Sequence, residues 1–154
     1  MAHSAHLEST GIVETLSGIQ ESTVTSVPDQ INDYFVEKDG QRFAGSHLLL
    51  DLWGARRLTD INKIEDTLTK AADAAGATIL DRNFHQFIEN GGISGVLILA
   101  ESHISIHTWP ERSFAAIDIF MCGRCDPFMC VDVLKAAFEP DDLIVHEQRR
   151  GLER

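Results

Sequence analysis

The sequence predicts an α+β two-layer sandwich, a mainly antiparallel sheet with two helices on one face. Six short apolar or alternating runs are separated by turn residues, as in hairpin-linked strands. Two segments of helical periodicity are interspersed among them. The length of 154 residues suits one domain with a single modest core.

The chain begins with an acidic extension, residues 1–40. Through residue 39 it carries seven acids and one lysine, which is −6 of the total −11. Its first 26 residues hold nine Ser or Thr and no aromatic residue. Such a segment buries too little apolar area to offset its ordering entropy, so about the first 28 residues are expected to be partly disordered. Ile31, Tyr34, Phe35 and Val36 then bring apolar weight, and residues 30–37 are expected to dock on the core. The main domain is expected over 41–154.

Within it, Ser46–Trp53 reads as a strand ended by Gly54. Thr59 or Asp60 caps a helix whose apolar positions are Ile61, Ile64, Leu68, Ala71, Ala72 and Ala75, and Gly76 stops it. Ala77–Ile88 is extended, and Asn90-Gly91-Gly92 is a turn signal. Ile93–Glu101 is a buried strand, followed by strands over Ser102–Thr108 and Phe114–Cys122. Asp126-Pro127 opens a second helix with proline at its first position. Val131, Leu134 and Phe138 form its stripe, Pro140 ends it, and Leu143–Glu147 is the last strand. Two helices on one sheet face leave the other uncovered, and a homodimer is the simplest cover.

Composition excludes several classes. An acidic chain, with pI near 4.9, is a poor match for nucleic acid or an anionic membrane. Apolar runs such as Gly95–Ala100 are too short to span a bilayer. Three cysteines cannot all pair within one chain, and the opening residues lack the basic and apolar regions of a secretory signal. A cytoplasmic protein is expected.

The polar residues concentrate in ESHISIHTWPE, residues 101–111. In a regular strand Glu101, His103, Ser105 and His107 share one face, and Ser102, Ile104, Ile106 and Thr108 the other. Titratable groups at this density, near Ser94 and Cys122, mark a reactive site. Ser102, His107 and Asp118 can be drawn as a hydrolase triad, but no Gly-x-Ser-x-Gly elbow supports it. Cys122, Cys125 and Cys130, with His103 or His107, lack the paired spacings of structural zinc, and no metal is expected. A thioredoxin-like role would want a C-x-x-C opening a helix after a strand, which Cys122 to Cys125 nearly does.

The 101–111 block, the AAIDIF run at 115–120 and Cys122-Gly123 closely resemble the self-processing motif of the prokaryotic S-adenosylmethionine decarboxylases. Upstream, Gly45 to His47, Gly76 to Thr78, Phe84 to Phe87 and Gly92 to Val96 are similar to the rest of that family's pattern. The resemblance spans roughly residues 42–150. It implies that the chain cuts itself at Glu101–Ser102 when the Ser102 hydroxyl attacks the preceding carbonyl, leaving residues 1–101 and a 53-residue piece. Elimination and hydrolysis convert Ser102 to a pyruvoyl group, which forms a Schiff base with the substrate amine in place of pyridoxal phosphate. By the same resemblance His107 takes the proton in the elimination, Ser94 supports the processing intermediate, and Cys122 protonates the decarboxylated carbanion. Phe87 matches a position near the substrate and Glu111 an acid suited to ribose hydroxyls, while His47 and His85 are further candidates to line the site. The resemblance further implies that the small-molecule substrate is S-adenosylmethionine, that the product is the aminopropyl donor for spermidine, and that the active sites lie at a dimer interface. Arginine or ornithine decarboxylation on the same scaffold is the alternative, and a processing-dead binding module is a third reading. Ser102 and His107 lie five apart, so the backbone must turn or bulge near Glu101–Ser102, straining the bond to be cut.

Overall fold

The computed structural model describes residues 34–154. The disorder expected for the first 28 residues, and the docking expected at 30–33, lie outside the described residues. A small hairpin comes first: β1 (Val36–Lys38) and β2 (Gln41–Phe43) pair antiparallel around Asp39-Gly40, both at positive φ. It straddles the boundary expected between residues 40 and 41.

The main sheet is built from β3 (Gly45–Trp53), β4 (Ile79–Gln86), β5 (Ile93–Leu99), β6 (Ser102–Trp109), β7 (Phe114–Met121) and β8 (Asp142–Arg150). Its order is β4-β5-β6-β7-β3-β8, and every neighbouring pair is antiparallel. Helices α1 (Ile61–Ala74) and α2 (Met129–Phe138) pack on one face, which is the α+β sandwich expected from the sequence.

Strict alternation produces that face. Leu48, Leu50 and Leu52 on β3, Ile104 and Ile106 on β6, and Ile117 and Ile119 on β7 are all buried. They meet Ile64, Leu68, Ala71 and Ala72 of α1 and Cys130, Leu134 and Phe138 of α2. Burying each Leu or Ile contributes roughly 1.5–3 kcal/mol. At Gly95 of β5 a Cβ would lie 2.1 Å from Phe84 Cδ1, so the glycine lets the β4 ring cross the strand. The opposite face leaves Leu49, Trp53, Ile98, Trp109 and Ile144 exposed.

Several boundaries differ from expectation. The first helix is capped by Asp60, whose carboxylate accepts the Lys63 N–H at 3.0 Å, and Gly76 follows it at φ +76. The second helix starts at Met129, because Asp126 and Pro127 form a turn instead of its first residues. The Asp126 carboxylate accepts the Phe128 N–H at 3.0 Å, and the amides of Met129, Cys130 and Val131 each bond three residues back. Strand β5 stops at Leu99 and β7 at Met121, short of Glu101 and Cys122, because both chain segments turn at this end of the sheet. Strand β8 continues to Arg150, since β3 offers it partners from Trp53 back to Gly45. The β1–β2 hairpin and a 3-10 turn at Pro110–Arg112 were not foreseen.

Candidate active site

Strands β5 and β6 are joined through Ala100 and Glu101, with Leu99 paired to Ser102. Glu101 has φ +59, a left-handed conformation that costs a residue with a Cβ of order 1–3 kcal/mol. The turn expected at Glu101–Ser102 is therefore present, and the bond follows a strained residue. Ser102 opens β6 only 8% exposed. Across from it, Cys122 follows the end of β7. Its Sγ donates to the Glu101 carbonyl at 3.3 Å and lies 3.8 Å from Ser102 Oγ. The Cys122 N–H donates to Ser102 Oγ at 3.4 Å. A hydroxyl, a thiol and a strained peptide carbonyl thus meet at the hairpin tip.

His107 lies five residues further along β6, about 16 Å away at strand rise. The alternation read from sequence holds: Ser102, Ile104, Ile106 and Thr108 are buried, and His107 is on the open face. Its Nδ1 is 2.9 Å from Ser94 Oγ on the neighbouring strand, where the two residues are register partners. They share a pocket of about 430 Å³ with Phe87, Asn90 and Trp109. Asn90 Nδ2 donates to Glu111 Oε2 at 2.9 Å, which holds the carboxylate beside this pocket. The His85 ring stands edge-on to Phe87 at 4.8 Å. Trp109, Phe114 and Trp53 continue the site as a row of rings, 5.4 and 4.3 Å apart.

The candidate residues therefore fall into two groups. Glu101, Ser102 and Cys122 meet at one end of the sheet. Ser94, His107, Phe87 and Glu111 meet at the other. The turn at Glu101 strains the bond but does not bring His107 to Ser102 within one chain.

Asp118 joins neither group. Its Oδ2 accepts from Ser105 Oγ at 3.4 Å and its Oδ1 lies 3.6 Å from His47 Nε2, so the drawn triad is not assembled. His47, Phe120 and His103 are register partners across three strands, with ring centroids about 6 Å apart. Burial holds the His103 pKa below its ordinary value, His47 adds to the shift, and Asp118 opposes it. The cysteines do not converge. Cys125 Sγ donates to the Gly76 carbonyl, and buried Cys130 donates to Ala71 of α1, its pKa pushed up to about 12 by burial. Among the described residues no group of three or more His, Cys, Asp or Glu is placed to hold a metal ion. No described helix is long and apolar enough to cross a membrane.

Sequence reasoning missed Asn90 as the partner of Glu111, since a turn signal says nothing about a distant side chain. It also missed that Tyr34 and Phe35 line a cavity of about 690 Å³ with Glu101 and Cys122.

The sandwich, with reactive groups at a strained hairpin beside a pocket, defines an α+β enzyme. Residues 46–151 match the family model described as S-adenosylmethionine decarboxylase. The S-adenosylmethionine decarboxylase proenzyme of Syntrophomonas wolfei is 41% identical over 111 residues, covering 70% of this chain and 87% of that protein. That of Thermotoga maritima is 41% identical over 110 residues, covering 70% and 84%. The crystal structure of the adenosylmethionine decarboxylase from Aquifex aeolicus VF5 superposes with a TM-score of 0.64 at 32% identity, covering 73% of this chain and 94% of that one. The chain belongs to the S-adenosylmethionine decarboxylase family.

Proposed function

We propose that the protein is a cytoplasmic proenzyme that cuts itself between Glu101 and Ser102 and then decarboxylates S-adenosylmethionine. The observation that carries this is the contact of Cys122 with both sides of the bond, its thiol on the Glu101 carbonyl and its amide on the Ser102 hydroxyl. The thiol polarises the carbonyl and the amide retains the nucleophile. Attack by Ser102 Oγ on the Glu101 carbonyl carbon breaks the amide bond and leaves an ester. Loss of the Ser102 Cα proton then expels the Glu101 carboxylate from Cβ, and hydrolysis with loss of ammonia leaves the new N-terminal pyruvoyl. Ser102 fits this origin, because it begins a strand directly after the strained turn.

The pyruvoyl supplies a carbonyl for the substrate amine and an electron sink for CO2 loss, without pyridoxal phosphate or metal. Cys122 stands beside this position and delivers the proton to the decarboxylated carbon. The imidazole needed for the elimination is that of His107, steadied by Ser94. Because His107 and Ser102 are far apart on opposite faces of one strand, His107 of one protomer serves Ser102 of its partner. The exposed apolar residues of the open face supply the contact of this homodimer. Phe87 and Glu111 accompany His107 to the shared site, where the ring packs on the nucleoside and the carboxylate meets the ribose hydroxyls. The product is the aminopropyl donor for spermidine synthesis. Arginine or ornithine as substrate gains no support from the comparisons.

Mass spectrometry of purified protein tests the cut: pieces of residues 1–101 and 102–154 are expected, the second with pyruvoyl at its start. A single uncut chain, stable on ageing, overturns the reading. Release of labelled CO2 from S-adenosylmethionine, arginine and ornithine in parallel tests the substrate.

A further inference from the structure

We propose that the hairpin ahead of the family core is part of the catalytic site, with Tyr34 as a positioning residue for Cys122. This rests on the processing and proton-donor roles proposed above, and extends them to residues outside the matched segment, which begins at residue 46.

The Tyr34 carbonyl accepts the Gly123 N–H at 2.7 Å. Gly123 directly follows Cys122 and sits at φ +61, so the chain turns sharply just after the reactive thiol. The Tyr34 ring lies against this turn: a Cβ on Gly123 would be 3.5 Å from Tyr34 Cδ1. Tyr34 and Phe35 also wall the cavity of about 690 Å³ that takes in Glu101 and Cys122. One side of that cavity is thus built by residues that precede the family core.

The hairpin is held on two sides. Lys38 Nζ stands 5.0 Å over the Phe128 ring, between the Cys122 loop and α2. Arg149 of β8 donates to Gln41 Oε1 at 2.7 Å and pairs with Asp39. Arg42 of β2 places its guanidinium 5.6 Å over the ring of Phe35, the residue that leads into β1. These contacts hold Tyr34 against the Cys122 loop. The geometry it guards is narrow, since a 1 Å misplacement of a reacting group costs about a hundredfold in rate.

The test uses the full chain as wild type, Tyr34→Ala, Tyr34→Leu and Tyr34→Phe. Four quantities are measured: the half-time of self-cleavage, kcat and KM of the cleaved enzyme for S-adenosylmethionine, the melting temperature, and the rate of Cys122 alkylation by iodoacetamide, mapped by peptide mass spectrometry. Tyr34→Ala is expected to slow cleavage and lower kcat by about tenfold with a smaller change in KM, while Cys122 alkylates several times faster. Tyr34→Phe, which keeps the ring, restores wild-type values. If Tyr34→Ala melts far below wild type, Tyr34→Leu, which keeps apolar bulk without the ring, is expected to show the same loss of kcat and protection. Wild-type kcat, cleavage and Cys122 protection in both ringless variants overturn the role of Tyr34 alone. A wild type that neither cuts nor releases CO2 overturns the functional reading, and this inference with it.

Discussion

The two ends of β6 differ in what surrounds them. At its start, Ser102 is 8% exposed and enclosed by the Cys122 loop. Near its finish, His107 faces outward among Phe87 and Trp109, which are 44% and 40% exposed. The enclosed end has a nucleophile, an electrophile and an acid, but no imidazole. The open end has an imidazole, a hydroxyl and aromatic rings, but no bond to cut. Under the proposed function each end is half of a site, and a second copy of the chain completes it.

Mixing two inactive variants tests that division most severely. Ser102→Ala and His107→Ala alone are expected to remain uncut and release no CO2. Unfolded together and refolded, they form mixed dimers in which one site has both groups, restoring about a quarter of wild-type sites under random pairing. Cleavage of the His107→Ala chain on a denaturing gel is the readout, and its absence puts both groups on one chain. A smaller loss is expected at the enclosed end alone. Cys122→Ala should lower decarboxylation by about 10²–10⁴-fold and slow cleavage, read by single-turnover CO2 release on the cleaved fraction.

Neighbouring residues of β5 contrast the two faces. Leu97→Ala on the helix-covered face is expected to destabilise by about 2–5 kcal/mol in chemical denaturation. Ile98→Ala, at a position 47% exposed in the single chain, should change that chain's stability by about 0.5 kcal/mol or less. It should instead weaken the dimer about tenfold in sedimentation, as expected when an apolar contact is lost. Equal effects on the chain would mean that the open face has no partner.

The smallest effect concerns pH. Folding lowers the His103 pKa below 6.5, so the unfolded chain binds this proton more readily. Stability is full above 6.5 and falls as pH drops through the lowered folded value. His103→Asn should flatten that fall in melts across the range, and an unchanged slope removes His103 as its source.

Much of the fold was legible because its signals are local. The alternation of β3, β6 and β7, the period of α1, its Asp60 cap and the Gly76 stop each sit within a few residues. The length of β8 was not legible: Gln148 to Arg150 are polar, and only pairing with β3 makes them a strand. The start of α2 was missed because Asp126 and Pro127 suit a turn as well as a helix opening, and the carboxylate bond to Phe128 decides between them. Residue types at the site were legible from the 101–111 block. Their division was half visible, in the five-residue spacing of Ser102 and His107. The role of Tyr34 had no local signal, since its contact with Gly123 joins residues 89 apart in the chain.

The strand order has a consequence for the cut protein. Residues 1–101 carry β1 to β5 and α1, whereas residues 102–154 carry β6, β7, α2 and β8. In the sheet, β3 of the first piece lies between β7 and β8 of the second, and β5 pairs with β6. Severing Glu101–Ser102 therefore frees nothing, because each piece is clasped by the other along three ladders. Once unfolded, however, the pieces must find each other in solution, which adds a concentration dependence to refolding of each subunit that the uncut precursor lacks before it dimerises. Chain continuity serves assembly a single time. A processed molecule that melts loses a template it cannot regenerate.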